Sequence, residues 1–436
     1  MVANRFSVWV GALLLSGSAC SSSVVTPDGD GGGGAGIGGA STVGGGGTGG
    51  TGGSGGDTSM LACTHLEPAG EPMLLAEGGL FTRLSKMGEA EVYVYFQALP
   101  VGHGFTLQPW NTWPASATQV HTFDHQYVNL SVVEGIHTGV TAGAYWVNSN
   151  RPNLVSRIFL DLPQTTAPEP APLSSEELHG FWRTFDGYAY GTGDSQDLVL
   201  HAIDDTAAPL WSRSGLGCAV GTNTILPTES GTLLVGASIG ARGPACIGGN
   251  SHLQVFALDS NGDGDGVLVP DVSTGHVEVT RFLPREGGAR LVYWRATTTL
   301  PGIPSQQGTP HEVDYGVWWT VAVGDQGVLL DAPRQLDMGA EVGSAAEVAP
   351  VRDGFVGAGR ARGAADLTDE VTLDLYDTDG NLLQSIATGE TAPAYDLGVR
   401  LLESPDRRSV LVSWVREHAD FMGNEARLLR FDCVEP

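Results

Sequence analysis

One short pattern recurs seven times along this chain and limits what it can fold into: an alternating apolar run that stops at a polar turn residue. The clearest copies are Leu253–Leu258 before Asp259, Val317–Val323 before Gly324, Val371–Tyr376 before Asp377 and Arg427–Phe431 before Asp432. Upstream, Leu198–Ile203 precedes Asp204 and Ile158–Leu160 precedes Asp161; Val92–Phe96 before Gln97 is the loosest match. Alternation with a period of two is the mark of a half-buried strand. The turn residues follow one another at intervals of 43 to 65 residues, which is the signature of an array. A second strand precedes each later copy, after Leu226-Pro227, Leu283-Pro284, Ala349-Pro350 and Ser404-Pro405. The proline is expected at the start of that strand, where a missing N–H is tolerated. Period and content match one four-stranded blade, so the expected fold is all-β: a single β-propeller, seven blades, over residues 61–436. Two β-sandwiches would also supply many short strands, but have no reason to repeat at this period or to bring the chain's ends together. No segment carries a sustained 3.6-residue apolar period with caps, so long helices are not expected.

Ser404-Pro405-Asp406 before an apolar strand is similar to the S-P-D motif of TolB-like, and more broadly WD40-like, propeller repeats. Only this copy carries it, and Arg407 stands where those repeats have glycine.

The N-terminus speaks of address. Arg5 precedes an uncharged run, Phe6–Leu15, which is too short to span a bilayer, and small residues lead up to Ser18-Ala19-Cys20. This resembles a bacterial lipoprotein signal, with Gly17 where an aliphatic residue is usual. The resemblance implies removal of residues 1–19, a lipid on Cys20, and anchoring to the cell envelope, in the outer membrane of a Gram-negative bacterium. Without lipidation the same leader would direct ordinary secretion. Eighteen of the 29 residues from Gly29 to Asp57 are glycine. Such a stretch has nothing to bury against the entropy of ordering, so residues 20–60 are expected to be a disordered spacer. The net charge of −27, with Lys86 the single lysine, disfavours nucleic acid and anionic lipid surfaces as partners. The body is expected to be a monomer.

Five cysteines become four once Cys20 is set aside, and an even remainder in an exported chain suggests two disulfides with three connectivities. Cys63–Cys433 with Cys218–Cys246 is the simplest choice: the first pair would lock the meeting of the two ends, and the second is close in sequence. Closing so long a loop is worth about 4–5 kcal/mol in the chain-entropy model.

Asp259-Ser-Asn261-Gly-Asp263-Gly-Asp265-Gly266 matches the first half of an EF-hand-type calcium loop, with Asp259, Asn261, Asp263 and Asp265 as oxygen ligands. Pro270 occupies the position of the usual bidentate Glu, and Asp-Gly is also ordinary hairpin chemistry. Calcium is the one cofactor the sequence suggests; a plain polar turn is the competing reading. His121, Asp124, His125 and His137 read as surface loop residues, and Trp110 and Trp113 as packing, although a sugar platform has the same look. No P-loop, H-E-x-x-H or sialidase-type box is present. The expected role is therefore a binding scaffold for protein or glycan at the cell envelope. The alternative is a polysaccharide hydrolase or lyase whose carboxylates come from separate blades.

Overall fold

The computed structural model describes residues 62–77, 79–87, 91–98, 102–109, 121–123, 127–134, 140–148, 151–160, 171–174, 178–193, 198–204, 206, 208–216, 224–240, 251–270, 276–301, 312–343, 346–362, 368–393, 399–416 and 424–434. Among the described residues there is no helix. Strands pair antiparallel with their neighbours in sequence, and four sheets contain four strands each. These begin with Gly79–Met87, Tyr127–Glu134, Leu178–Arg183 and Thr224–Pro227. A nine-stranded sheet runs from Val277–Arg285 to Leu382–Pro393. It consists of two successive runs welded by Val342–Gly343, which pairs with Glu312–Gly324 on one side and Gly354–Arg362 on the other. The last sheet holds Arg400–Glu403, Ser409–Arg416 and Glu425–Cys433, and its outer edge is supplied by Leu66–Pro68 and Met73–Glu77.

Burial follows strand position. Gly354–Arg362 and Ser409–Arg416, both second strands, are buried almost throughout, which is why they read as continuous apolar runs rather than as alternation. Outer strands such as Pro209–Arg213 and Gly266–Leu268 are largely exposed. The sheets meet face to face. Trp294 and Trp318 of one face pack with Phe355 and Tyr376 of the next, and the Trp294 indole N–H donates to the Val342 carbonyl at 3.0 Å. On the far side, Val356, Leu373 and Leu375 pack with Val410, Val412, Trp414 and Phe431. Most first strands lie against the first strand of a neighbouring unit, including Arg400–Glu403 against Gly79–Met87.

The recurring turn has a physical reason. At Asp259–Gly262, Gly324–Gly327 and Asp377–Gly380 the glycine N–H donates to the carbonyl three residues earlier, at 3.0, 2.8 and 3.0 Å. Each glycine has φ near +75°: 79°, 74° and 78°. The first two abut the preceding sheet and the third the preceding run of its own sheet: an added Cβ would fall 2.5 Å from Trp211, 2.9 Å from Ala257 and 2.8 Å from Arg334. The glycine is needed twice over, for the left-handed backbone and for the close approach. Gly262→Ala should therefore cost on the order of 2 kcal/mol, partly backbone strain and partly displacement of Trp211. Urea unfolding of the two proteins measures it, and a loss below about 0.5 kcal/mol would mean that the turn relaxes freely.

Two sequence expectations change. Pro227, Pro284 and Pro350 lie within or at the end of the first strand of their units, not at the start of the second. A first strand pairs on one side only, so the missing N–H falls on an unpaired edge. Asp432 is no turn; it pairs with Glu67 and Ser409 inside the last strand. Its partner comes from the other end of the chain, which no local pattern can reveal.

Candidate functional site

The first strands carry charge that is already spoken for. Arg281, on Val277–Arg285, reaches past the intervening strand Glu347–Val351 to grip Glu403 with two parallel bonds of 2.9 and 3.0 Å. The same guanidinium reaches the Val348 carbonyl at 3.4 Å. Glu347 meets Arg400 at 2.9 Å and accepts the Leu401 N–H at 2.8 Å. Glu403 is only 7 % exposed. A buried carboxylate is tolerable because a bidentate guanidinium offsets its desolvation. Each glutamate is held by an arginine of a neighbouring sheet. Both tie neighbouring sheets together.

A second polar group lies where Glu312–Gly324 faces the strands Gly354–Arg362 and Thr368–Asp377. The Tyr315 hydroxyl donates to Asp369 at 2.7 Å, and the other oxygen of Asp369 has no hydrogen-bond partner. Asp369 is 2 % exposed. Burial pushes its carboxyl up to about 6, against the opposing pull of the tyrosine hydrogen bond and of Arg360 and Arg362. Burial likewise pushes the Tyr315 hydroxyl up, helped by Asp369. Arg360 is itself buried and donates to the Val415 carbonyl. Arg362 stands over the Tyr315 ring, its guanidinium carbon 5.9 Å from the centroid.

Beside this group is a cleft of about 280 Å³, lined by Arg362, Glu370, Thr372, Asp374, Ser385 and the backbone at Gly339, among others. Asp374 is buried, which pushes its carboxyl up; it accepts hydrogen bonds from the Ser385 hydroxyl and, at 3.3 Å, the Gly339 N–H. The sequence reading passed over Arg281, Glu347, Glu403, Asp369 and Asp374. The available signal was a lone charge inside an apolar run, as in Val371-Thr-Leu-Asp374-Leu-Tyr376.

The proposed calcium ligands lie together on one hairpin, all exposed. The Asp259 carboxylate accepts the N–H groups of Asn261 at 2.8 Å and Asp263 at 3.0 Å, and these bonds hold it below the usual carboxylate range. Asp263 lies 3.8 Å from Arg213. Among the described residues, no three His, Cys, Asp or Glu side chains gather as a metal site would require. Asp259→Ala is expected to lower the melting temperature equally in millimolar calcium and in chelator, because the N–H groups of Asn261 and Asp263 lose their carboxylate acceptor either way. A loss seen only in calcium would assign the carboxylate to an ion. Cys63 and Cys433 are joined as a disulfide, with Cα atoms 5.3 Å apart. Cys20, Cys218, Cys246, Trp110, Trp113, Asp124, His125 and His137 lie outside the described residues; His121 falls in the strand His121–Phe123.

No protein-family model and no curated protein sequence matches this chain. A solved structure of a protein of unknown function from Dyadobacter fermentans is similar over 85 % of this chain and 99 % of that one, at 9 % identity and a TM-score of 0.50. The likeness is one of fold. The alpha-L-arabinanase of Penicillium chrysogenum, solved with arabinobiose, aligns over 71 % of this chain and 95 % of its own, at 13 % identity and a TM-score of 0.44. A neuraminidase-like protein of A/little yellow-shouldered bat/Guatemala aligns over 85 % of this chain and 98 % of that one, at 8 % identity and a TM-score of 0.39. Those two are too distant to bear on the chemistry of this chain.

Proposed function

We propose that this chain is an exported, lipid-anchored binding scaffold of the bacterial cell envelope. Cys20 carries the lipid, the glycine-rich stretch holds the body away from the membrane, and the body is a monomeric β-propeller of seven blades that recognises protein or glycan. Several observations support the architecture. Reading the nine-stranded sheet as two blades and the last sheet as one makes seven units of four, and the N-terminal strands supply the outer edge of the last unit. Contacts between first strands support a ring with those strands at its centre.

The observation that carries the binding role is the pairing of Glu347 and Glu403 with Arg400 and Arg281. A glycosidase needs two carboxylates facing its scissile bond, one of them able to hold a proton. Carboxylates held by guanidinium groups are occupied in tying sheets together. Scaffolds need no such pair, and loops from several sheets can share recognition. The test is a screen of the purified full chain against envelope and plant polysaccharides, scored for both binding and turnover. Binding without new reducing ends is the expected result; release of sugars would overturn the scaffold reading. Mass spectrometry of the N-terminal peptide checks the anchor, and an unmodified Cys20 or a different mature start would remove it.

A further inference from the structure

On its side facing the preceding run of the nine-stranded sheet, Gly354–Arg362 carries glycine where a side chain would collide: a Cβ at Gly357 would fall 2.9 Å from Trp318, and one at Gly359 2.7 Å from Val342. The strap containing Gly339, Ala340 and Val342 settles on that side, with Val342 paired to Ala361. Gly339 and Ala340 form one wall of the cleft, and Glu370, Thr372, Asp374, Ser385 and Ala387 line it from the sheet.

The lining is mixed in a particular way. Asp374, 5 % exposed, offers acceptor oxygens held in place by Ser385 and the Gly339 N–H. Glu370 is steadied by the Gly389 N–H at 2.7 Å. Arg362 is oriented by the Tyr315 ring, and none of its N–H groups has a protein acceptor among the described residues. Thr372 and Ser385 add hydroxyls, and Ala361 and Ala387 add a small apolar patch. An anion would meet two carboxylates. A metal ion would find no gathered ligand set among the described residues. Groups that both donate and accept, set around a patch of C–H, are the complement of a sugar ring, whose hydroxyls do both and whose face is apolar. The size of the cleft is at the low end for ligand sites, which is room for one ring and not for a chain.

We infer that this cleft binds a single neutral saccharide unit of a glycan. The inference rests on the reading of the chain as a binding scaffold and names what it holds. Isothermal titration of the full chain with methyl glycosides of neutral monosaccharides, and with amino acids as controls, tests it. At least one glycoside should bind. Arg362→Ala, which removes donors that have no acceptor among the described residues, and Ala387→Trp, which fills the cleft from an exposed position, should each weaken that binding at least tenfold, the second without moving the melting temperature. Binding that survives Ala387→Trp, the absence of any glycoside binding, or a preference for amino acids would overturn the assignment. Retention of polymeric glycan by Ala387→Trp would leave the scaffold reading standing and place the sugar elsewhere. Turnover of a glycoside that is still blocked by Ala387→Trp would do the reverse.

Discussion

Replacing both Cys63 and Cys433 with serine should lower stability by about 4–5 kcal/mol, close to the upper end of what one disulfide contributes. The bond spans 370 residues, so its loss frees almost the whole denatured chain. For a body of this size that is a fall of roughly 5–6 °C in melting temperature. The native contacts around the bond do not depend on it: Leu66 and Phe431 are buried together, and the Val434 N–H donates to the His65 carbonyl at 3.0 Å. The double variant should therefore fold to the same structure and open first at Leu66–Glu77, which among the described residues is paired in the sheet to one strand. Thermal melting, with hydrogen exchange of that segment, measures both effects. Equal melting of the variant and the parent would show that the denatured chain is already constrained in some other way.

Asp369→Asn should stabilise the protein above neutral pH and leave it unchanged in acid. The folded carboxyl titrates near 6 against an ordinary value of 3.8, so the folded state holds a proton that the unfolded state has lost in this interval. Stability then falls as pH rises from about 4 to 6, and the full cost of the ionised, half-satisfied carboxylate is present above about 7. A shift of this size corresponds to about 3 kcal/mol. Asparagine keeps an acceptor for Tyr315 and carries no charge to desolvate. Urea unfolding of both proteins between pH 4 and 8 should show curves that coincide in acid and diverge to about 3 kcal/mol at the alkaline end. Parallel curves would mean that water, or Arg360 and Arg362, satisfies the ion more fully than burial suggests.

Much of the architecture was legible because it rests on local rules. Alternation places side chains on two faces of a strand, and an Asp-to-Gly turn with a left-handed glycine closes a hairpin wherever it occurs. These rules act over a few residues, so the β class, the repeat and most strand ends could be read directly. Cys63 with Cys433 followed from the need to bring the two ends together. The candidate sites are different in kind. Arg281 and Glu403 are 122 residues apart, Tyr315 and Asp369 are 54 apart, and Arg400 and Glu347 are 53 apart. Each charge, taken alone in sequence, looks like an ordinary solvated residue in a strand. Which of them meet depends on which sheet faces which, and on where Val342–Gly343 welds two runs into one. Asp259 shows the two kinds together: its spacing suggests a cation, and its carboxylate also accepts from the backbone of its own turn. The sequence by itself determined the units and their turns, because period and backbone preference are properties of neighbours along the chain. The tertiary structure alone decided the paired charges, the buried acid and the cleft, because these depend on desolvation and on distances between sheets that the linear order does not contain.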